Sequence, residues 1–224
     1  MLFAGFGFYT FYLLAGMLVA ISVHECCHAW VANALGDPTA KNAGRLSLNP
    51  LAHLDPLGTL SLLLLGLGWG KPVPVDASRL RLGSKIGMAL VGMGGPVANI
   101  VTAAFISIPL RLHLVPFRRR MVMGIPFSYG ELLSWIIWIN LILAIFNLIP
   151  LAPLDGSRLL SALLPSRLFH WLARYERYAL ILVLLLILLE RFTRTGILTG
   201  IVFPPVEFLW WRLVGMALPF PWYY

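Results

Sequence analysis

Residues 2–28 read LFAGFGFYTFYLLAGMLVAISVHECCH, an apolar run that leads directly into His24-Glu25-Cys26-Cys27-His28. A helix needs about 20 mostly apolar residues to cross the hydrocarbon of a bilayer, and this run is long enough. Three ionisable side chains therefore stand where polarity is expensive, and such side chains mark function rather than packing. Helical character continues to Leu35, where Gly36-Asp37-Pro38 supplies a stop signal, so residues 1–35 are read as one long first helix.

Composition extends that reading to the whole chain. Of 224 residues, 59% are hydrophobic and 12% charged, whereas a soluble domain carries roughly a quarter charged residues. The fold class expected is an all-α integral membrane protein, multi-pass, in a prokaryotic plasma membrane. The net charge of +8 comes from basic residues such as Arg118-Arg119-Arg120 that flank apolar segments, where lipid headgroups meet them, so nucleic acid is not an expected partner. The two cysteines are adjacent and point about 100° apart on a helix, which excludes a disulfide framework. A cleavable signal peptide is not expected, because the basic segment that would open one is missing.

The chain reads as a single membrane domain, 1–224, with about four transmembrane helices. Residues 36–85 form a loop region with prolines at 50, 56, 72 and 74 and strand-like pieces at Leu46-Ser47-Leu48 and Pro72-Val73-Pro74-Val75, read as a short β-hairpin. Within it, residues 60–69 are apolar but too short to span and suit a re-entrant segment. Residues 86–110 and 131–150 are the second and third spans, 151–166 a segment opening on a proline-broken stretch, and 168–190 the fourth span. Residues 196–218, interrupted by Pro204-Pro205 and rich in tryptophan, are read as an interfacial helix. If the spans alternate, ten lysines and arginines fall on the side of 36–85 and seven on the other, which favours an external N-terminus.

Residues four apart lie about 40° apart around a helix, so His24 and His28 can offer nitrogens to one metal ion, with Glu25 on the flank, near a water but not obliged to ligate. Catalytic zinc takes three protein ligands and keeps one position open, so a third ligand must come from elsewhere. Of nine acidic residues, only Asp155 follows directly on a broken apolar helix, in Asn147-Leu-Ile-Pro-Leu-Ala-Pro-Leu-Asp-Gly156. Non-helical backbone at that depth belongs against protein or a water-filled cavity. Asp155 is the expected third ligand; capping the helix that follows is its other reading. Cys27 lies near His24, but a fourth protein ligand would close the site to water, and the cysteines are set aside.

This constellation resembles the site-2 protease family of intramembrane zinc metalloproteases, in its compact bacterial form. The matching pieces are His24-Glu25-x-x-His28, Gly95-Pro96-Val97-Ala98-Asn99 and Asn147-x-x-Pro150-x-x-Pro153-Leu-Asp155-Gly156, in order over a three-helix core. The resemblance implies one Zn2+ per chain on His24, His28 and Asp155, and Glu25 as catalytic acid and base. It also draws attention to Asn99, as a substrate or oxyanion donor or else a bond between helices, and to His53, as a gate, a substrate contact, an occupant of the open metal position, or a loop residue satisfied by backbone. Asn140 and Asn147 share a face and are expected to bond between helices. No segment is long enough for the PDZ or nucleotide-sensing domains that many relatives carry, so regulation by such domains is not expected.

The function expected is hydrolysis of peptide bonds within or near transmembrane segments of a protein substrate, that is, regulated intramembrane proteolysis. The partners are that substrate and the bilayer, with homo-oligomerisation left open. The alternative is a membrane metal-ion transporter built on the same histidines and aspartate, which gives no reason for Glu25 beside them.

Overall fold

The computed structural model describes residues 8–56, 58, 70–122, 125–165, 185–186, 189–190, 192–193 and 195–218. Among the described residues three helices are long and apolar enough to cross a membrane: α1 (Phe8–Ala34), α3 (Gly83–Arg111) and α4 (Tyr129–Asn147). Shorter helices are α2 (Thr39–Asn42), α5 (Asp155–Leu163) and α6 (Ile197–Leu213). The chain is an integral membrane protein, and its described residues are mostly helical with almost no strand.

The register of α1 decides how the three long helices meet. Tyr12, Gly16, Ala20, His24, His28 and Ala32 are all buried, at steps of four residues. Each step advances about 40° around the axis, so the stripe winds along the helix instead of staying on one face. Its first turns meet α4: the Tyr12 hydroxyl accepts from the Ser128 amide at 2.7 Å, immediately before that helix, and Gly16 faces Trp135 and Ile139. Its last turns meet α3, where Ala32 clusters with Val91 and Leu80. The histidines lie where the stripe crosses from one neighbour to the other.

Ser128 starts α4 by accepting from the Glu131 amide, which satisfies one of the donors a helix leaves unpaired at its first turn. On the far side of α4, α6 buries Val202, Val206 and Trp210, again four apart, and Trp138 meets Phe203 and Trp210 at ring-centroid distances of 5.9 and 6.1 Å. The expected break at Pro204-Pro205 is not there: both prolines lie inside one continuous helix. The residues whose carbonyls lose a donor to them, Gly200 and Ile201, are exposed, and the packed stripe on the opposite face holds the helix together.

The hairpin also lies elsewhere than expected. The strand-like pieces at 46–48 and 72–75 form no ladder, and a two-stranded antiparallel hairpin joins β1 (Arg120–Val122) to β2 (Ile125–Phe127) between α3 and α4. Pro72 and Pro74 have no N–H to give to a ladder, and Ser47 spends its carbonyl on the His53 ring. Among the described residues the strand-type pairing in the 36–85 region is limited to an isolated antiparallel bridge, Leu54 to Gly70. Residues 60–69 and most of 168–190 lie outside the described residues.

Asp37 anchors the base of that region, just beyond the end of α1. It is fully buried and accepts from the Thr39 amide and hydroxyl and from the Asp76 amide, 39 residues away. Burial pushes its carboxyl up, but these hydrogen bonds outweigh burial and hold it below the ordinary aspartate range. A carboxyl held low in the folded chain contributes stability above its unfolded pKa and loses it as pH falls through the folded value. Melting of the detergent-solubilised protein should therefore shift downward as pH drops below about 4, with a shallower acid slope in Asp37→Asn. Equal acid slopes for the two proteins would show that Asp37 contributes nothing to this dependence.

Candidate metal centre and active site

His24 Nε2 and His28 Nε2 lie 3.0 and 3.1 Å from one atom, Oδ2 of Asp155. All three side chains are buried, and their ligand atoms fall within 4.8 Å of one another. Neither of the two cysteines beside the histidines belongs to that group. Asp155 is the first residue of α5 and makes no capping bond; Leu154 holds the cap position instead. Its carboxylate is turned to the histidines, which sets the capping reading aside.

The opposite nitrogen of each ring determines what Nε2 can do. His28 Nδ1 is 2.6 Å from the Val91 carbonyl, which can only accept, so Nδ1 carries the proton. His24 Nδ1 is 2.6 Å from Asn99 Oδ1. The Asn99 amide nitrogen donates to the Ala20 carbonyl at 3.0 Å and to Asn140 Oδ1 at 2.8 Å, which fixes its oxygen toward the histidine. Asn140 in turn donates to the Ile136 carbonyl at 2.8 Å. Both neutral rings therefore aim bare lone pairs at a carboxylate oxygen.

Three acceptors cannot face one another unpaired in a buried site. Protons on both Nε2 atoms would place two imidazolium ions in the membrane core, at a desolvation cost of several kcal/mol each. One divalent cation satisfies all three donors together. The set is two imidazoles and one carboxylate, a combination suited to catalytic zinc, and ligands on such an ion stand about 3.3 Å apart in tetrahedral geometry. The residues fit a zinc ion.

Room for it depends on Gly95. A Cβ there would fall 2.5 Å from His24 Cε1 and 2.6 Å from both Nε2 atoms, so any side chain would occupy the space between the rings. Pro96, next along α3, has no N–H for the Gly92 carbonyl, so the helical ladder is open one residue beyond the Val91 carbonyl used by His28. At the other side, α5 turns back beneath the end of α4 through Gly156, where a Cβ would collide with the Leu148 and Ile149 carbonyls.

Glu25 is half-buried and, among the described residues, makes no hydrogen bond or ion pair. Over it sits the neck of the loop region. Arg45, itself buried, donates from Nη1 to the Ala52 carbonyl at 2.5 Å and the Lys71 carbonyl at 3.4 Å, and the Lys71 amide donates to the His53 carbonyl at 2.7 Å. A Cβ on Gly70 would lie 3.6 Å from Glu25 Oε1, so the neck passes close over the carboxylate without covering it.

The other expected residues divide. Asn99 is fully buried, and both its amide hydrogens go to neighbouring helices, the bond between helices that is one of its two expected roles. Asn140 joins it. Asn147 does not: its amide donates to the Leu143 carbonyl of its own helix at 3.0 Å. His53 is fully buried, donates from Nε2 to the Ser47 carbonyl at 2.6 Å, and stands outside the metal group. Its ring bonds the Ser47 carbonyl and its backbone carbonyl accepts from Lys71, so in this structure it braces the neck. The Val91 carbonyl carries no signature in sequence, since any residue supplies one. Gly95 stood inside a quoted motif, but only the packing shows which side chains it faces.

Buried imidazoles converging on a carboxylate within a helical membrane core, with a free glutamate alongside, define a membrane-embedded metal-dependent hydrolase. The chain belongs to peptidase family M50. The model described as Peptidase family M50 matches residues 125–189. A Bacillus subtilis protein provisionally named zinc metalloprotease YwhC is 38% identical over 175 residues, 78% of this chain and 79% of that one. Proteins provisionally named zinc metalloprotease Rip2 are 27% identical: over 194 residues in Mycobacterium tuberculosis, 85% of this chain and 71% of that one. In Mycolicibacterium smegmatis the match runs over 188 residues, 81% of this chain and 68% of the relative. No solved structure matches the chain.

Two substitutions probe the geometry through metal binding alone. Gly95→Ala should abolish stoichiometric zinc in the purified protein, measured by elemental analysis, and full occupancy would contradict the role assigned to that space. Asn99→Ala should weaken zinc about 10–100-fold in chelator competition, as expected for the loss of a residue that orients a ligand, whereas Asn147→Ala should leave affinity unchanged.

Proposed function

We propose that this chain is an intramembrane zinc metalloendopeptidase in which His24, His28 and Asp155 hold one Zn2+ and Glu25 is the general base and acid. Its substrates are transmembrane segments of membrane proteins, and it crosses a prokaryotic plasma membrane several times. The observation that carries this reading is the convergence of two Nε2 lone pairs on Asp155 Oδ2, with both Nδ1 protons committed, one residue from an unengaged glutamate. The names of the bacterial relatives support the metal and the protease activity. Exposed apolar side chains on α3, Val97, Val101, Phe105 and Ile108, support a lipid-facing surface.

Zinc, when bound, supplies a Lewis acid that makes a water more acidic and a carbonyl more electrophilic. The remaining steps belong to the chain. Glu25 accepts a proton as the water oxygen attacks the scissile carbonyl carbon, and delivers it to the nitrogen as the C–N bond breaks. Asn99 and the Val91 carbonyl hold the imidazoles in the one tautomer that leaves Nε2 free. A helical substrate buries its carbonyls in its own hydrogen bonds, so it must unwind locally, and the loop backbone from Pro72 to Val75, which leads on from the neck over Glu25, can pair with some of the groups this frees.

Glu25→Gln keeps the shape and removes the base. Membrane proteins retained by this variant identify substrates, and terminal peptide mapping with the active enzyme locates the bond cut. The variant should hold one zinc per chain while cleaving that substrate at least 100-fold more slowly in proteoliposomes. Cleavage at the normal rate would remove Glu25 from the mechanism, and an active enzyme without zinc would remove the metal.

A further inference from the structure

The two carboxylate oxygens of Asp155 face different partners. Oδ2 is the atom both imidazoles approach, whereas Oδ1 lies 3.9 Å from Nη1 of Arg158, three residues along α5. The Arg158 stem is held in place by α3: its Cβ and Cδ each lie 3.3 Å from where a Cβ on Gly92 would be, filling the notch that glycine leaves. Among the described residues Oδ1 accepts no hydrogen bond, and the guanidinium has no other polar contact. The aspartate side chain is 10% exposed and the arginine 30%, so the pair runs from the buried site toward the accessible side of α5.

A carboxylate can bind a metal through one oxygen or both. With two histidines and a water present, a carboxylate bound through both oxygens raises the shell to five ligands and crowds the position that a catalytic zinc keeps for water or substrate. Something must therefore hold Oδ1 back. Arg158 meets the requirements: its charge is permanent, its Nη1 stands 3.9 Å from Oδ1, and its stem packs over Gly92 of α3. We propose that Arg158 is the positioning residue that restricts Asp155 to one-oxygen coordination and so keeps a coordination position open. This inference rests on the zinc-peptidase reading and adds to it the device that separates a catalytic site from a closed one.

Cobalt(II) in place of zinc makes the coordination number visible, because four-coordinate cobalt absorbs strongly in the visible and higher-coordinate cobalt weakly. In the full-length, detergent-solubilised protein, Arg158→Met keeps a stem over Gly92 and removes the charge. Its cobalt absorption should fall well below wild type, metal affinity in chelator competition should be equal or greater, and kcat on the mapped substrate should drop about 10–100-fold with KM unchanged. Arg158→Lys should recover the spectrum and most of kcat. A wild-type spectrum in Arg158→Met overturns the proposal, and so does loss of metal, which would make Arg158 a support for the site as a whole. If the methionine variant does not fold, Arg158→Gln carries the same expectations. Failure of the peptidase reading looks different: wild type itself would then bind no metal or cut nothing.

Discussion

Asn99 is the side chain on which the rest of the structure depends. It stands on α3, donates to the Ala20 carbonyl of α1 and to Asn140 of α4, and accepts from His24, so one amide joins α1, α3, α4 and the metal centre. In a low-dielectric core an unpaired amide costs more than it does at a surface, and partners that are fully satisfied hold one another in register. Hydrophobic burial contributes little to bringing helices together once they are in lipid, so polar contacts and close packing must set the arrangement. The site and the fold are held by the same bonds.

That coupling explains why the ligand carboxylate can come from a segment so far along the chain. α5 is short and polar for a membrane protein, and nothing in its own composition would place it at depth. It is seated because Gly156 lets it turn against the Leu148 and Ile149 carbonyls and because Gly92 admits the Arg158 stem. The loop neck above Glu25 is fixed by other means, with Arg45 and the Leu54–Gly70 bridge drawing its two limbs together. Substrate would then meet a rigid centre beneath a braced entrance.

Much of this was legible in the residues. The apolar run into His24 and His28 locates α1 and puts both imidazoles one helical turn apart, and the prolines before Asp155 mark where the chain leaves the helix at depth. Charged residues in an apolar run are few, so each stands out. What escaped depends on contacts between distant segments. Asn99 and Asn147 look alike in sequence, yet one faces two neighbouring helices and the other only its own carbonyls. The hairpin at 120–127 leaves little trace in sequence because its strands are three residues long, while the β-like pieces at 46–48 and 72–75 lose their ladder to prolines and to His53. Pro204 and Pro205 signal a break that packing against α4 overrides.

X-ray absorption at the zinc edge, on the purified wild-type protein, tests most directly whether the two histidines and Asp155 hold the metal. Two imidazole nitrogens at about 2.0–2.1 Å, oxygen donors at about 2.0–2.2 Å and no sulfur are the expected shell. A sulfur scatterer at about 2.3 Å would bring Cys26 or Cys27 into the site, and a shell with fewer than two imidazoles would contradict the geometry from which the chemistry is drawn.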